Sequence, residues 1–257
     1  MLQASESAFV IIAVVFASLA FLLVLDRLWP SAHRRNHNAA FAWQVNFLGM
    51  TYGVIISFML FAAWTSFSDA ITNANGEANA AINLSRVADS MPEPQRDSVQ
   101  HLVRRYVDVM LEEEWPAMMR NETSPKSREI VRELWFVLSQ TPAATEAQQV
   151  GLDHAFIELS SMTEHRRLRQ EQVLQKLPPI LWAVLLFGSV LTILYSCLFG
   201  ADNLMLHAIQ VIGLSVLIAL SLAAIADLSR PYQGAAHVEP YGFLRARETL
   251  DATHFIP

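Results

Sequence analysis

Residues 41–67 read FAWQVNFLGMTYGVIISFMLFAAWTSF, without one Asp, Glu, Lys or Arg. A helix needs about 20 apolar residues to cross the hydrocarbon core of a bilayer. Three more runs meet that length: Ala8 to Leu25, Pro179 to Phe199, and Leu204 to Ala226, the last interrupted only by His207 and Gln210. In hydrocarbon every backbone N–H and C=O must find a partner within the protein, so these runs are expected as helices. Four such runs in 257 residues argue against the core helices of a soluble protein. The first run is read as a retained helix rather than a signal peptide. Residues 1–8 carry no Lys or Arg, and no small-residue cleavage site follows before Asp26-Arg27-Leu28-Trp29-Pro30.

Charge separates the ends of the chain from its middle. Charged residues make up 16% of the sequence, and 29 of them lie between Asp69 and Lys176. That middle stretch has helical apolar spacing throughout and no strand signal. Ala70, Ile71, Ala74, Ala78, Ala81, Ile82 and Ala88 continue the second membrane helix to about Asp89, where Met91-Pro92-Glu93-Pro94 breaks it. A further helix is expected from Pro94 to Met119, with Val99, Leu102, Val103, Tyr106, Val109, Met110 and Trp115 inward. Ser124-Pro125 and Thr141-Pro142 read as two more helix starts. The fold class is therefore all-α: an integral membrane protein with four transmembrane helices and a helical soluble domain between the second and third. The expected divisions are a first helix pair at 1–67, the soluble domain at 68–177, a second helix pair at 178–230 and a C-terminal tail at 231–257.

An even number of crossings puts both termini and the soluble domain on one side. That side holds Arg86, Arg166, Arg167, Arg169, Lys176, Arg230, Arg245 and Arg247, against Arg27, Arg34 and Arg35 on the other. The excess favours a cytoplasmic domain and cytoplasmic termini.

Little in the sequence points to catalysis, and the chain reads as no enzyme. It has no phosphate-cradling glycine loop, zinc-protease helix or nucleophile elbow. His154 and His165 lack the spacing of a helical metal pair, Glu112-Glu113-Glu114 reads as a solvated charge run, and Cys197 is the only cysteine. Neither a metal nor a cofactor is expected. A net charge of −6 gives no basic face for nucleic acid.

The second membrane helix carries the functional expectation. Gly49, Gly53 and Ser57 recur every four residues and permit close helix approach, with Phe61 continuing that face. Tyr52, Ile56 and Leu60 occupy the adjacent face, and a ring of them would gate by dewetting, so that Ile56→Ala or Leu60→Ala raises conductance. The pore-lining candidates are thus Tyr52, Gly53, Ile56, Ser57, Leu60 and Phe61. His207 and Gln210 are expected to bond a neighbouring helix. No acidic or basic residue lies deep in a span, which counts against a proton relay but allows a passive anion path.

Several motifs resemble those of the bacterial bestrophin-like membrane proteins, a domain of unknown function distantly related to bestrophin anion channels. They are His37-Asn38, Tyr52-Gly53-Val54 to Phe58, Glu77-Ala78-Asn79, Leu111-Glu112-Glu113-Glu114-Trp115-Pro116, Leu177-Pro178-Pro179-Ile180-Leu181-Trp182 and Asp227-Leu228-Ser229-Arg230-Pro231-Tyr232-Gln233-Gly234. The resemblance runs from about Arg35 to Pro240. It departs from the family at Ser229, where an Asp is usual, and the paired tryptophans that follow the neck in many bestrophins are missing. It implies a bacterial inner-membrane protein, a homo-oligomer (a pentamer by resemblance alone), contact with membrane lipids, and ions such as chloride as the transported species. His37, Asn38, Glu77, Asp227, Arg230, Pro231 and Gly234 become structural or lipid-contact candidates. Arg230 also sits where a helix dipole favours a cation, Pro231 ends that helix and Gly234 permits a turn. Three functions fit: an anion channel with the second helices around its axis, a non-conducting scaffold or sensor that recruits a partner, and a stator-like ion-driven unit. The lack of deep acidic residues counts against the third.

Overall fold

The computed structural model describes residues 4–175 and 177–253. Lys176, one of the charges used to orient the chain, lies outside the described residues. Every regular element among them is helical. In chain order these are α1 (Ala4–Leu28), α2 (Ser31–Arg34), α3 (Asn38–Val87), α4 (Gln95–Val109), α5 (Trp115–Met119), α6 (Lys126–Ser139), α7 (Glu146–Leu174), α8 (Pro179–Cys197), α9 (Leu204–Leu228) and α10 (Tyr241–Thr253). Short 3-10 turns cover Arg35–His37 and Ala88–Ser90, and a π-turn covers Met110–Glu114.

The chain forms two compact units. One comprises residues 1–65, 176–229 and 234–236, and its four long apolar helices are α1, the first part of α3, α8 and α9. Its interior is thin. Leu22, Cys197 and Val211 form the buried cluster, and Ser215 Oγ donates to Ser18 Oγ at 3.0 Å between α9 and α1. His207 bonds α8 as expected, with Nε2 3.0 Å from the Ser196 carbonyl, while Gln210 is exposed. Asn203 caps α9 by accepting from the N–H groups of Met205 and Leu206. Most apolar side chains of these helices face outward, the reverse of a water-soluble bundle.

The other unit comprises residues 66–175, 230–233 and 237–257. Alanines 70, 74, 78 and 81 of α3, and Ala88 of the 3-10 turn that follows it, leave room for large residues from neighbouring helices. Val99, Val103 and Tyr106 of α4, Ile130 and Leu134 of α6, Leu159 and Met162 of α7, and Phe243 and Leu250 of α10 fill that space. All the residues expected inward on the Pro94–Met119 helix are buried, apart from the half-buried Val109.

The second membrane helix begins at Asn38, at the His37-Asn38 motif, and the stretch before it folds as α2 and a 3-10 turn. Three readings are corrected. Thr141-Pro142 does not start a helix; Thr141 Oγ1 closes the end of α6 on the Val137 carbonyl, and Thr145 caps α7 by accepting from Gln148 N–H. Residues 231–257, read as a tail, include α10, whose Phe243, Ala246 and Leu250 are buried. The triplet Glu112-Glu113-Glu114 is not uniformly solvated, because Glu114 is fully buried.

Candidate pore face and buried charge cluster

In the membrane unit, α3 carries an open trough of about 460 Å³ lined by Gly49, Met50, Gly53, Val54, Ser57, Phe58 and Phe61. A side chain built at Gly49 or Gly53 meets nothing within 4 Å, so the two glycines hollow this face rather than serve an internal packing contact. Phe58 and Phe61 project from it, 71% and 67% exposed. The Ser57 hydroxyl donates back to the Gly53 carbonyl at 2.8 Å, which makes the trough effectively apolar.

The six pore-lining candidates separate. Gly53, Ser57 and Phe61 lie on the open face, and Ile56 and Leu60 are half-buried beside it. Tyr52 turns the other way: it is 5% exposed and donates to the Leu185 carbonyl of α8 at 2.8 Å. Its ring lies where a Cβ at Gly188 would be, 2.5 Å from the nearest ring atom. Tyr52 therefore fastens α3 to α8 and does not share an exposed face with Ile56 and Leu60.

Of the structural candidates in this unit, Asn38 is fully engaged. Its amide donates to the Gly200 carbonyl and accepts from the Gly200 N–H, both at 2.9 Å. His37 is exposed and packs with Trp29 and Phe41, ring centroids 6.1 and 6.2 Å away. The Asp227 carboxylate accepts from the N–H groups of Ala235 and Ala236 at 3.0 and 2.8 Å, closing a turn in which Gly234 has φ +94°. Arg34, read as a loop charge, is wholly buried. It pairs with Asp26 at 2.7 Å and donates to the Cys197 carbonyl at 2.6 Å. Arg35 pairs with Asp202.

In the other unit Arg230 is exposed, and Pro231 is buried, accepting from Val238 N–H at 2.7 Å. Tyr232 beside it is buried against Trp115 and donates to the Ala70 carbonyl at 3.2 Å. Burial pushes the Tyr232 phenol up, and nearby Arg169 opposes this only in part. Glu77 anchors a buried charge cluster. Arg169 of α7 donates to both its oxygens, Nε to Oε2 at 2.6 Å and Nη2 to Oε1 at 3.1 Å, and the Tyr106 hydroxyl donates to Oε1. Arg169 Nη2 also reaches Glu114 Oε1 at 3.2 Å. Glu77, Glu114 and Arg169 have no exposed surface. Burial works to lower the Arg169 pKa, but the two carboxylates more than offset it and hold the guanidinium firmly charged. Burial, reinforced by Glu77, pushes the Tyr106 phenol well up. Met110 and Met118 cover the guanidinium with their sulfurs at 3.4 and 2.8 Å. Sequence reasoning missed Arg34, Tyr106, Glu114 and Arg169 as members of buried networks. No group of three metal-ligating side chains occurs among the described residues.

A family model described as the Bestrophin-like domain matches residues 12–243. Among solved structures, the chain is similar to a bacterial bestrophin homologue from Klebsiella pneumoniae at 14% identity, covering 97% of this chain and 99% of that one with a TM-score of 0.69. A single-substitution variant of that homologue matches at 12% identity, covering 98% and 100%, with a TM-score of 0.71. At these identities the likeness shows the fold alone. No curated protein matches the sequence.

Proposed function

Because the chain belongs to the family defined by the Bestrophin-like domain, we propose that it is a subunit of a homo-oligomeric anion channel in the bacterial cytoplasmic membrane, with α3 around the axis. The observation that carries this reading is the open, uncharged face of α3. A membrane helix that exposes two glycines, a serine and two phenylalanines in one trough has either lipid or further copies of itself as its partner. Small residues at every fourth position favour close approach of copies. Four helices in one chain have too little wall to enclose a wet pore, so a path for ions needs several chains. Five copies are expected from the family resemblance.

In this arrangement Gly53, Ser57 and Phe61, with Met50, Val54 and Phe58, make a narrow apolar stretch that controls passage by wetting and drying. Ile56 and Leu60 flank it, and Tyr52 supports it from behind. The absence of any acid or base from residues 41–67 suits passive conduction. The domain bearing α4 to α7 is assigned to the cytoplasm. Of the three loop arginines opposite it, Arg34 is buried in an ion pair, while Arg86, Arg167, Arg230 and Arg245 on the domain side are exposed.

The test is chloride flux into liposomes holding the purified protein, compared with empty liposomes and accompanied by the oligomeric mass. Flux from a defined oligomer is expected. A monomer, or an oligomer without flux across a range of pH, calcium and voltage, overturns the channel reading in favour of a scaffold.

A further inference from the structure

A cavity of about 500 Å³ opens in the unit that holds α4 to α7. Three elements wall it. Ser85 stands near the end of α3 and Asp89 on the 3-10 turn that follows, α4 supplies one face, and Leu250 comes from α10. The α4 face carries Arg96, Asp97, Gln100 and Arg104, with the exposed His101 at its edge. Leu250 is the one apolar side chain in this lining, the reverse of the apolar trough on α3.

Part of the lining is already engaged. Gln100 Nε2 donates to Asp89 Oδ1 at 2.7 Å, and Arg96 Nε to Asp97 Oδ1 at 3.0 Å. Arg104 Nη2 donates to the Leu250 carbonyl at 2.7 Å, in the last turns of α10. Other groups are left over. Arg104 Nε is buried without a hydrogen-bond partner among the described residues, the nearest carboxylate oxygen of Asp251 being 3.8 Å away. Ser85 is only 8% exposed, and its hydroxyl makes no hydrogen bond to a described residue. Thr72 of α3 and Ser98 of α4, by contrast, turn their hydroxyls back onto the carbonyls four residues earlier. Asp89 keeps its second oxygen free, and Gln100 keeps its Oε1. A buried donor or acceptor without a partner costs free energy, so this cavity has unmet capacity of both kinds.

We propose that the cavity is a binding site for a small polar zwitterion, a molecule that carries one ammonium and one carboxylate as a free amino acid does. Two aspartates and two arginines leave the lining without net charge, so a lone anion or cation meets as many like charges as opposite ones. A zwitterion meets opposite charges at both ends, with its ammonium at Asp89 and its carboxylate at Arg104. Ser85 and Gln100 stand ready for polar atoms between the two. The volume falls within the range of small-molecule sites. The site does not depend on the channel reading, because no residue of the α3 trough contributes to it.

The test is equilibrium binding by calorimetry to the purified full-length protein in detergent. L-asparagine and glycylglycine, whose charges are differently spaced, are the probes; sodium acetate and ethylammonium chloride supply each charge alone. Saturable binding of at least one zwitterion is expected, with each single-charge ion about tenfold weaker or more, the loss of one charge-assisted contact. Asp89→Asn and Ser85→Ala should each weaken the zwitterion severalfold, while Ser98→Ala, on the neighbouring face of α4, should leave its affinity unchanged. Melting temperatures confirm that each variant is folded. Failure of folded wild-type protein to bind either zwitterion overturns the proposal. So does equal binding of acetate or ethylammonium, or an affinity that neither Asp89→Asn nor Ser85→Ala alters.

Discussion

Arg169 grips Glu77 through two nitrogens, 2.6 and 3.1 Å from its two carboxylate oxygens, with neither side chain exposed to water. A bidentate pair of this kind fixes two helices in distance and in rotation. Glu77 is on α3 and Arg169 on α7, so the pair sets which face of α3 the soluble unit covers. The remaining face carries Thr72 and Asn79. A third helix region joins through Glu114 and a fourth element through Tyr106, and Arg169 is the one cation that both carboxylates share.

Loss of the guanidinium is the most damaging single change. Arg169→Met strands two buried carboxylates and is expected to cost about 3–5 kcal/mol. Glu77→Gln should cost more than Glu114→Gln, because Glu77 uses both oxygens while Glu114 Oε2 has no hydrogen-bond partner among the described residues. Replacing all three at once (Glu77→Leu, Glu114→Leu, Arg169→Met) should recover much of the loss, since well-packed apolar groups can replace buried ions at little cost. Thermal unfolding of the full chain in detergent checks this. A triple variant weaker than Arg169→Met would show that the charges supply net stability.

The folded protein should lose stability in alkali. The ordinary tyrosine value is 10, and burial beside Glu77 raises that of Tyr106 well above it. Between those values the unfolded chain has released its phenolic proton and the folded chain has kept it. Stability from this group is thus complete below about pH 10 and falls as the pH climbs towards the folded value. Tyr232 contributes in the same direction. Tyr106→Phe removes one such proton and should flatten the decline above pH 10, while at neutral pH it costs about 1.5–3 kcal/mol for a hydrogen bond to a charged acceptor. Unfolding followed from pH 8 to 12, alongside phenolate absorbance, reads both effects; an unchanged alkaline slope in Tyr106→Phe would remove Tyr106 from the account.

Gly234 is held at φ +94°, where an L side chain is strained, and a Cβ there would run into the Asp227 carboxylate that closes the turn. Gly234→Ala is expected to cost more than about 1 kcal/mol. Asp227→Ala should also destabilise the turn, by freeing the N–H groups of Ala235 and Ala236. Because both changes damage one turn, their combination should cost less than the sum of the two, a result read from a double-mutant cycle of melting temperatures.

The apolar runs made the membrane helices legible because the bilayer leaves the backbone no alternative to helix at that length. The alanine spacing from Ala70 to Ala88 likewise announced the extension of α3. What composition concealed was the fate of individual charges. Arg34, Arg169 and Glu114 have the same residue types as their solvated neighbours, and only tertiary partners distant in sequence, such as Cys197 for Arg34 and Glu77 for Arg169, decide that they are buried. For Glu114 the local cause is the π-turn at Met110–Glu114, whose wider turn holds an extra residue and breaks the 3.6-residue period used to sort faces. Tyr52 was placed with Ile56 and Leu60 because residues four apart share a helix face. The opening left by Gly188 on α8, invisible from α3 alone, draws its ring inward.

That inward turn changes which substitutions should alter flux. The sequence singles out Ile56 and Leu60 for a constriction, whereas Phe58 and Phe61 are the aromatic rings that the open trough exposes. If the trough faces the axis, Phe58→Ala removes a large apolar ring from each subunit and widens and wets the narrow stretch, so chloride flux should rise severalfold. Ile56→Ala, at a half-buried flank, should raise flux less. Tyr52→Phe should leave flux unchanged and instead weaken the α3–α8 contact by about 0.6 kcal/mol, the average for a hydrogen bond between membrane helices. Flux per reconstituted oligomer, with the oligomeric mass confirmed for each variant, ranks the three. A gain in Ile56→Ala or Leu60→Ala with none in Phe58→Ala would turn the helix so that its flank, not its trough, meets the axis. A gain in none of them, in a protein that conducts, would move the constriction off α3.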